Sequence, residues 1–154
     1  MAMSKVYFDT GALVKLYIFE PGSAFVQRQA QKARSIPLNP LQETELRNAI
    51  HAAIGRKSIP SVAALLALKH IDTDTSNGIL SIEMLDWPFV WSRAAHQARF
   101  HTKKLLCRTL DILHVAAAEA CGADLLVTAN KRQFKLASAF GLPAALVPEL
   151  KDSF

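Results

Sequence analysis

The sequence predicts an α/β domain built on a mostly parallel sheet of four to five strands with helices on both faces. Two observations predict it. Short β-rich runs alternate with longer segments of helical spacing along the whole chain, as in a parallel sheet with crossover helices. The breaks between them fall at Pro, Gly and Asn, the residues that start helices or close them. The chain has 154 residues with no internal repeat, low-complexity tract or linker, so one domain over 1–154 is expected.

The elements follow in order. "KVYF" (5–8) is a short β-rich run. "TGALVKLYIF" has helical spacing and is broken by Pro21-Gly22. "SAFVQRQAQKARS" is a second helix with a polar face, and "SIPL" (35–38) a short strand. Asn39-Pro40 starts a helix, with Asn as N-cap and Pro at the first helical position, that runs to about Gly55. "SVAALLALKH" is helical, "DTDTSNG" a loop, and "ILSIEML" (79–85) a strand. Pro88 opens a long helix through about Leu106. Thr109 to Ala120 is helical, "DLLVT" (124–128) is a strand, 131–140 is a helix closed by Gly141, and "AALV" (144–147) is the last strand.

Composition narrows the function classes. With 51% hydrophobic and 20% charged residues, a sizeable core forms and general disorder is excluded. A net charge of +5 suits a polyanionic partner such as nucleic acid, and equally an ordinary soluble surface. Cys107 and Cys121 do not make a disulfide framework, and no Cys/His set has zinc spacing. Free thiols in a reducing cytoplasm are expected. The first residues lack signal-peptide order, and Asp9, Lys15 and Glu20 interrupt their apolar stretches, so no membrane span is expected.

In parallel α/β sheets, ligands bind beyond the carboxyl ends of the strands, so the residues there are the candidates. Asp9 follows "KVYF" directly; by itself it reads as a helix cap. Glu43 and Glu45 lie early in the helix after the second strand and point to nearly opposite sides. Glu45 falls within about 40° of Leu41, Ala49 and Ala52, an inward edge where a carboxylate needs a partner. Glu43 reads as surface, in contact with Arg47. Asp111 opens a helix that is apolar on nearly every face and needs a partner too. His114, on that helix, reads as a hydrogen-bonded core residue rather than a ligand. Asn130 follows "DLLVT" and suits a turn or an N-cap; Asp124 stands at the opposite end of the same strand.

Together Asp9, Glu45, Asp111 and Asn130 form a constellation near strand ends. Carboxylates gathered without balancing Lys or Arg raise one another's pKa, and a hard divalent cation relieves that. The chemistry this suggests is activation of a metal-bound water against a phosphodiester.

"VYFDTGALVKLY", "LQETELRNAI" and "RTLDILHVAAAEACGADLLVTANKRQFKLASAFGL" together resemble the PIN-domain family of metal-dependent ribonucleases, and within it the VapC-type toxins of toxin–antitoxin pairs. The resemblance spans nearly the whole chain in the right order. It implies a three-layer α/β/α sandwich, Mg²⁺ or Mn²⁺ held by a cluster of acids, and endonucleolytic cleavage of RNA. By that resemblance Asp9, Glu45 and Asp111 are the catalytic, metal-holding acids, with Glu43 two positions from Glu45. Thr10 and Thr128 match supporting hydroxyl positions near the metal. The family commonly has a fourth acid where this chain has Asn130, which implies a weak or water-mediated contact and lower cation affinity. An antitoxin partner, a homodimer through the early helices and a cytoplasmic location are also implied.

Arg108, Lys131 and Arg132 flank these positions and are candidates for neutralising RNA phosphates, with single-stranded or looped RNA the more readable target. Any one of them also suits a solvated helix face. The alternative is a catalytically weakened or inactive module that binds RNA or protein, which Asn130 motivates. A phosphatase built on Asp9 of the haloacid-dehalogenase kind would need a second Asp where Gly11 stands.

Overall fold

The structure is a computed structural model and describes residues 4–149. Its elements in chain order are β1 (Ser4–Phe8), α1 (Thr10–Tyr17), α2 (Ser23–Lys32), β2 (Ala33–Leu38), α3 (Pro40–Gly55), α4 (Ser61–Ser76), β3 (Leu80–Ile82), α5 (Trp87–Leu105), α6 (Thr109–Ala120), β4 (Leu125–Thr128), α7 (Lys131–Ala139) and β5 (Ala144–Leu146). The five strands form one sheet in the order β3-β2-β1-β4-β5, and every neighbouring pair is parallel. The expected mostly parallel sheet is thus parallel throughout.

The strands put alternate side chains on opposite faces, which divides the core in two. Val6 and Phe8 of β1 pack with residues of α1 to α4, including Leu13, Val26, Leu46 and Ile71. Tyr7, between them, packs with α5, α6 and α7 through Val90, Leu113 and Leu136. The result is a three-layer α/β/α sandwich. Each large apolar side chain taken wholly from water contributes about 1.5–3 kcal/mol before entropy is counted, so two such clusters hold the sheet from both faces.

The punctuation works as the sequence predicts. Asn39 caps α3: its side chain accepts from Gln42 N, and Gln42 reaches back to Asn39 N, both at 2.9 Å. Gly22 ends the α1–α2 turn with φ +92°, and a Cβ there would meet Val147 Cγ1 at 2.6 Å, so only glycine fits. α6 spans the predicted Thr109–Ala120, with every residue from Asp111 to Ala118 buried.

The larger differences from the sequence reading fall in α2, α4 and β3, each for a tertiary reason. Helix α2 stops at Lys32 instead of running to Ser35, because Ala33 and Ser35 pair with Ser4 and Lys5 of β1. The "DTDTSNG" segment is helical through Ser76 rather than a loop. There Tyr17 donates to Asp74 at 2.8 Å and Arg47 donates to Asp72 at 2.6 Å, which together outweigh weak helix propensity. β3 covers only Leu80–Ile82, because its partner β2 ends at Leu38, where the chain turns into the cap of α3.

Candidate active site

The strand order reverses direction between β1 and β4: β2 and β3 lie on one side of β1, β4 and β5 on the other. Such a switch point opens a crevice beyond the strand ends. A cleft of about 710 Å³ lies there, lined by Asp9, Thr10, Glu45, Arg108, Asp111, His114, Asn130 and Gln133, among others. The three candidate acids and Asn130 therefore share one cavity, although they come from four separate elements.

Asp9 is both a helix cap and a cleft residue. Its Oδ1 accepts from Ala12 N at 2.8 Å and its Oδ2 from the Thr128 hydroxyl at 2.5 Å. Burial pushes its carboxyl up from the ordinary value. Thr128, the Ala12 N–H and His114 offset part of that, and the charge of Asp111 adds to it.

Glu45 is half-buried on α3, at the edge of the stripe formed by Gln42, Leu46, Ile50 and Ala53. Its partner is His114: the imidazole Nε2 lies 2.5 Å from Glu45 Oε1. Thr10 donates to the same oxygen at 3.1 Å. Burial alone would raise the Glu45 pKa, but the hydrogen bonds from His114 and Thr10 hold it below the ordinary value. Glu43 stays on the surface with Arg47 at 3.3 Å.

Asp111 is buried at the start of α6, where its Oδ2 reaches back to the Arg108 N–H at 3.0 Å. Its Oδ1 accepts from Asn130 Nδ2 at 3.1 Å. Asn130 Oδ1 caps α7, accepting from Arg132 N at 2.9 Å and Gln133 N at 3.3 Å. These bonds fix the amide orientation: oxygen toward the helix, nitrogen toward Asp111. As placed, Asn130 gives Asp111 a hydrogen-bond donor where the expectation was a weak ligand oxygen.

His114 joins the site from the core, as a hydrogen-bonded residue and not as a lone ligand. Its Nδ1 lies 2.8 Å from the Tyr7 hydroxyl, which accepts from Asn39 Nδ2 at 3.2 Å. Sequence reading placed His114 in the core but not against Glu45. The signal was Glu45 itself, an acid on an inward edge in need of a partner. Gln133 was also not singled out. It is buried beside Asp111, donates to the Asp111 carbonyl at 3.3 Å, and its Oε1 has no partner among the described residues.

The donor types suit a hard divalent cation: the carboxylates of Asp9, Glu45 and Asp111 and the hydroxyl of Thr10 line one cleft. Among the described residues, however, no group of three or more His, Cys, Asp or Glu side chains is gathered closely enough to hold a metal as it stands. Each acid is held by protein donors. Of the candidate phosphate contacts, Arg108 is exposed at the cleft; Lys131 is exposed and paired with Glu149 at 3.3 Å; Arg132 is exposed at the start of α7. Both cysteines are free, and burial pushes the Cys121 thiol up to about 11, so it is no nucleophile. Asp124 accepts from Lys5 N at the far edge of the sheet, away from the cleft. Among the described residues, no helix is long and apolar enough to cross a membrane.

No family model and no curated protein matches the chain. Solved structures do. A domain of a functionally unknown protein from Methanocaldococcus jannaschii DSM 2661 superposes with a TM-score of 0.56 at 18% identity, covering 98% of this chain and 96% of that one. The crystal structure of FitAcB from Neisseria gonorrhoeae contains a chain that superposes with a TM-score of 0.60 at 12% identity, covering 90% of this chain and 95% of that one. At these identities the likeness is one of fold: the chain shares the architecture of both, a three-layer α/β/α sandwich on an all-parallel sheet.

Proposed function

We propose that this protein is a metal-dependent endoribonuclease of the PIN-domain type, the toxin of a toxin–antitoxin pair. The observation that carries the reading is the convergence of Asp9, Glu45 and Asp111, from β1, α3 and α6, on the cleft at the switch point of the sheet. The likeness of fold and the motif resemblance support it. Asp9, Glu45 and Asp111 would hold Mg²⁺ or Mn²⁺, with Asn130 at most a weak or water-mediated contact and Thr10 and Thr128 in support. The cation would supply charge stabilisation at the phosphodiester and an activated water. The chain's own work is to aim the acids. Thr128 and the Ala12 N–H fix Asp9, His114 and Thr10 fix Glu45, and the Arg108 N–H and Asn130 fix Asp111.

Exposed Arg108 at the cleft, with exposed Arg132 and Lys131 in the first turn of α7, would neutralise RNA phosphates and make binding salt-dependent. A homodimer and an antitoxin belong to the same proposal. The α1–α2 turn offers an apolar surface for either, with Phe19 90% exposed beside Pro21 and Phe25. The test is cleavage of single-stranded RNA by purified protein with Mn²⁺ or Mg²⁺ and an EDTA control. Cleavage that survives EDTA or Asp111→Asn unchanged overturns the reading.

A second reading, a PIN-like binding module without catalysis, rests on Asn130. Its amide occupies one Asp111 oxygen as a hydrogen-bond donor, where a carboxylate would have added a ligand. That reading requires RNA or protein binding without cleavage under any divalent metal.

A further inference from the structure

We infer that His114 is a positioning residue for Glu45, driven from the core by a directed hydrogen-bond chain Asn39–Tyr7–His114–Glu45. The inference rests on the nuclease reading for its consequence and on geometry for its existence. Asn39 Nδ2 is a donor only, so at 3.2 Å the Tyr7 hydroxyl accepts from it. The hydroxyl then has its own proton to give, and His114 Nδ1 at 2.8 Å is in place to receive it. With Nδ1 accepting, the ring proton sits on Nε2, aimed at Glu45 Oε1 2.5 Å away. Reversing the chain would leave the Tyr7 oxygen facing two donors and its proton without an acceptor.

Tyr7 is fully buried, with its hydroxyl held between Asn39 Nδ2 and His114 Nδ1. Asn39 is itself locked, because its Oδ1 caps α3 through Gln42 N. The chain thus starts at the cap of α3 and ends on the Glu45 carboxylate of the same helix, passing through β1 and α6. Thr10 and His114 both donate to Oε1, and Oε2 makes no hydrogen bond among the described residues. One carboxylate oxygen is anchored and its partner is left for the cleft. His114 acts through Glu45, the carboxylate its Nε2 meets.

The test compares His114→Leu, His114→Gln and Tyr7→Phe with the wild type, each first checked for a cooperative thermal transition by circular dichroism. Gln keeps an N–H donor for Glu45 and loses the link to Tyr7; Leu keeps volume and loses both. Mn²⁺ affinity is read by calorimetry, and RNA cleavage as kcat and KM separately. His114→Leu is expected to lower Mn²⁺ affinity and kcat by about 10–100-fold, the range for residues that orient metal ligands, with KM for RNA little changed. His114→Gln is expected to restore most of the loss. A third, activity-free arm is the ¹⁵N spectrum of the His114 ring, expected to show the Nε2–H tautomer and to shift in both Tyr7→Phe and Glu45→Gln.

An Nδ1–H tautomer overturns the inference. So does a folded His114→Leu that keeps wild-type Mn²⁺ affinity and kcat, or a His114→Gln no better than Leu. If the wild type neither binds Mn²⁺ nor cleaves RNA, the nuclease reading fails alone, and the ¹⁵N arm still decides the hydrogen-bond chain. If no Leu or Gln variant folds, Tyr7→Phe and the ¹⁵N arm carry the decision.

Discussion

The Thr128 hydroxyl donates to Asp9 Oδ2 at 2.5 Å, tying the carboxyl end of β4 to that of β1 where the strand order reverses. Both side chains are buried, and the same Thr128 oxygen accepts from Asn130 N at 3.0 Å. One hydroxyl thus serves the first acid and the entry to α7. Thr128→Val keeps the shape and removes both bonds. It is expected to destabilise the fold by about 1–3 kcal/mol, the cost of leaving a buried polar group unpaired. Urea midpoints at constant slope check this.

Asp9→Asn separates capping from chemistry. Asn caps a helix about as well as Asp, so α1 is expected to keep its stability to within a few tenths of a kcal/mol on that account. RNA cleavage is expected to fall by about 100-fold or more, since a proposed metal ligand has lost its charge. Parallel melting and cleavage assays check the split. A variant that cleaves normally places Asp9 outside the chemistry.

The two carboxylates give opposite pH signatures. Asp9 has its folded-state pKa raised above the ordinary 3.8 by burial. Its stabilising contribution is full below that value and is lost as pH rises through the folded pKa. Glu45 has its folded-state pKa lowered from 4.5, against burial, by His114 and Thr10. Its contribution is present above 4.5 and is lost as pH falls through the lower folded pKa. Relative to wild type, Asp9→Asn should therefore gain stability as pH rises above 3.8, whereas Glu45→Gln should lose it as pH climbs to 4.5 from below and change little beyond. Guanidinium midpoints between pH 3 and 7, on a scale of about one unit per step, resolve the two slopes.

Asn130→Asp keeps the α7 cap and exchanges a donor to Asp111 for a second negative charge. Without divalent metal the variant is expected to melt below wild type, because two carboxylates then face each other. With excess Mn²⁺ the order is expected to reverse, since a tighter cation stabilises the folded state by mass action. Thermal scans with and without Mn²⁺ show whether the crossing occurs.

Tyr17→Phe tests why α4 outruns its sequence. The hydroxyl donates to Asp74 Oδ2 at 2.8 Å, inside the segment that reads as a loop. Its removal should cost about 1.5–3 kcal/mol at most, the range for a bond to a charged acceptor. Amide exchange should quicken at residues 72–76 while α3 keeps its protection.

Local signals were legible wherever the cause lies within a few residues. Asn39-Pro40 announced the α3 cap, and the apolar run with Asp111 at its head gave α6 its limits. The order of elements, the parallel sheet and the gathering of acids at strand ends followed from alternation and punctuation. The motifs pointed to the same acids.

What the sequence left open depends on partners far along the chain. Ala33–Ser35 became strand because β1 lay alongside, and Asp74 stayed helical because Tyr17 reached it. Glu45 needed a partner by the cost of burying a carboxylate, but that partner, His114, lies 69 residues away. Thr128 meets Asp9 across 119 residues. Asn130 was legible as a cap, yet only the packing of α6 against α7 turned its amide nitrogen toward Asp111. Propensity and capping act over one helical turn, whereas the side-chain partners at the cleft are set by the strand order, which brings separate elements to one edge of the sheet.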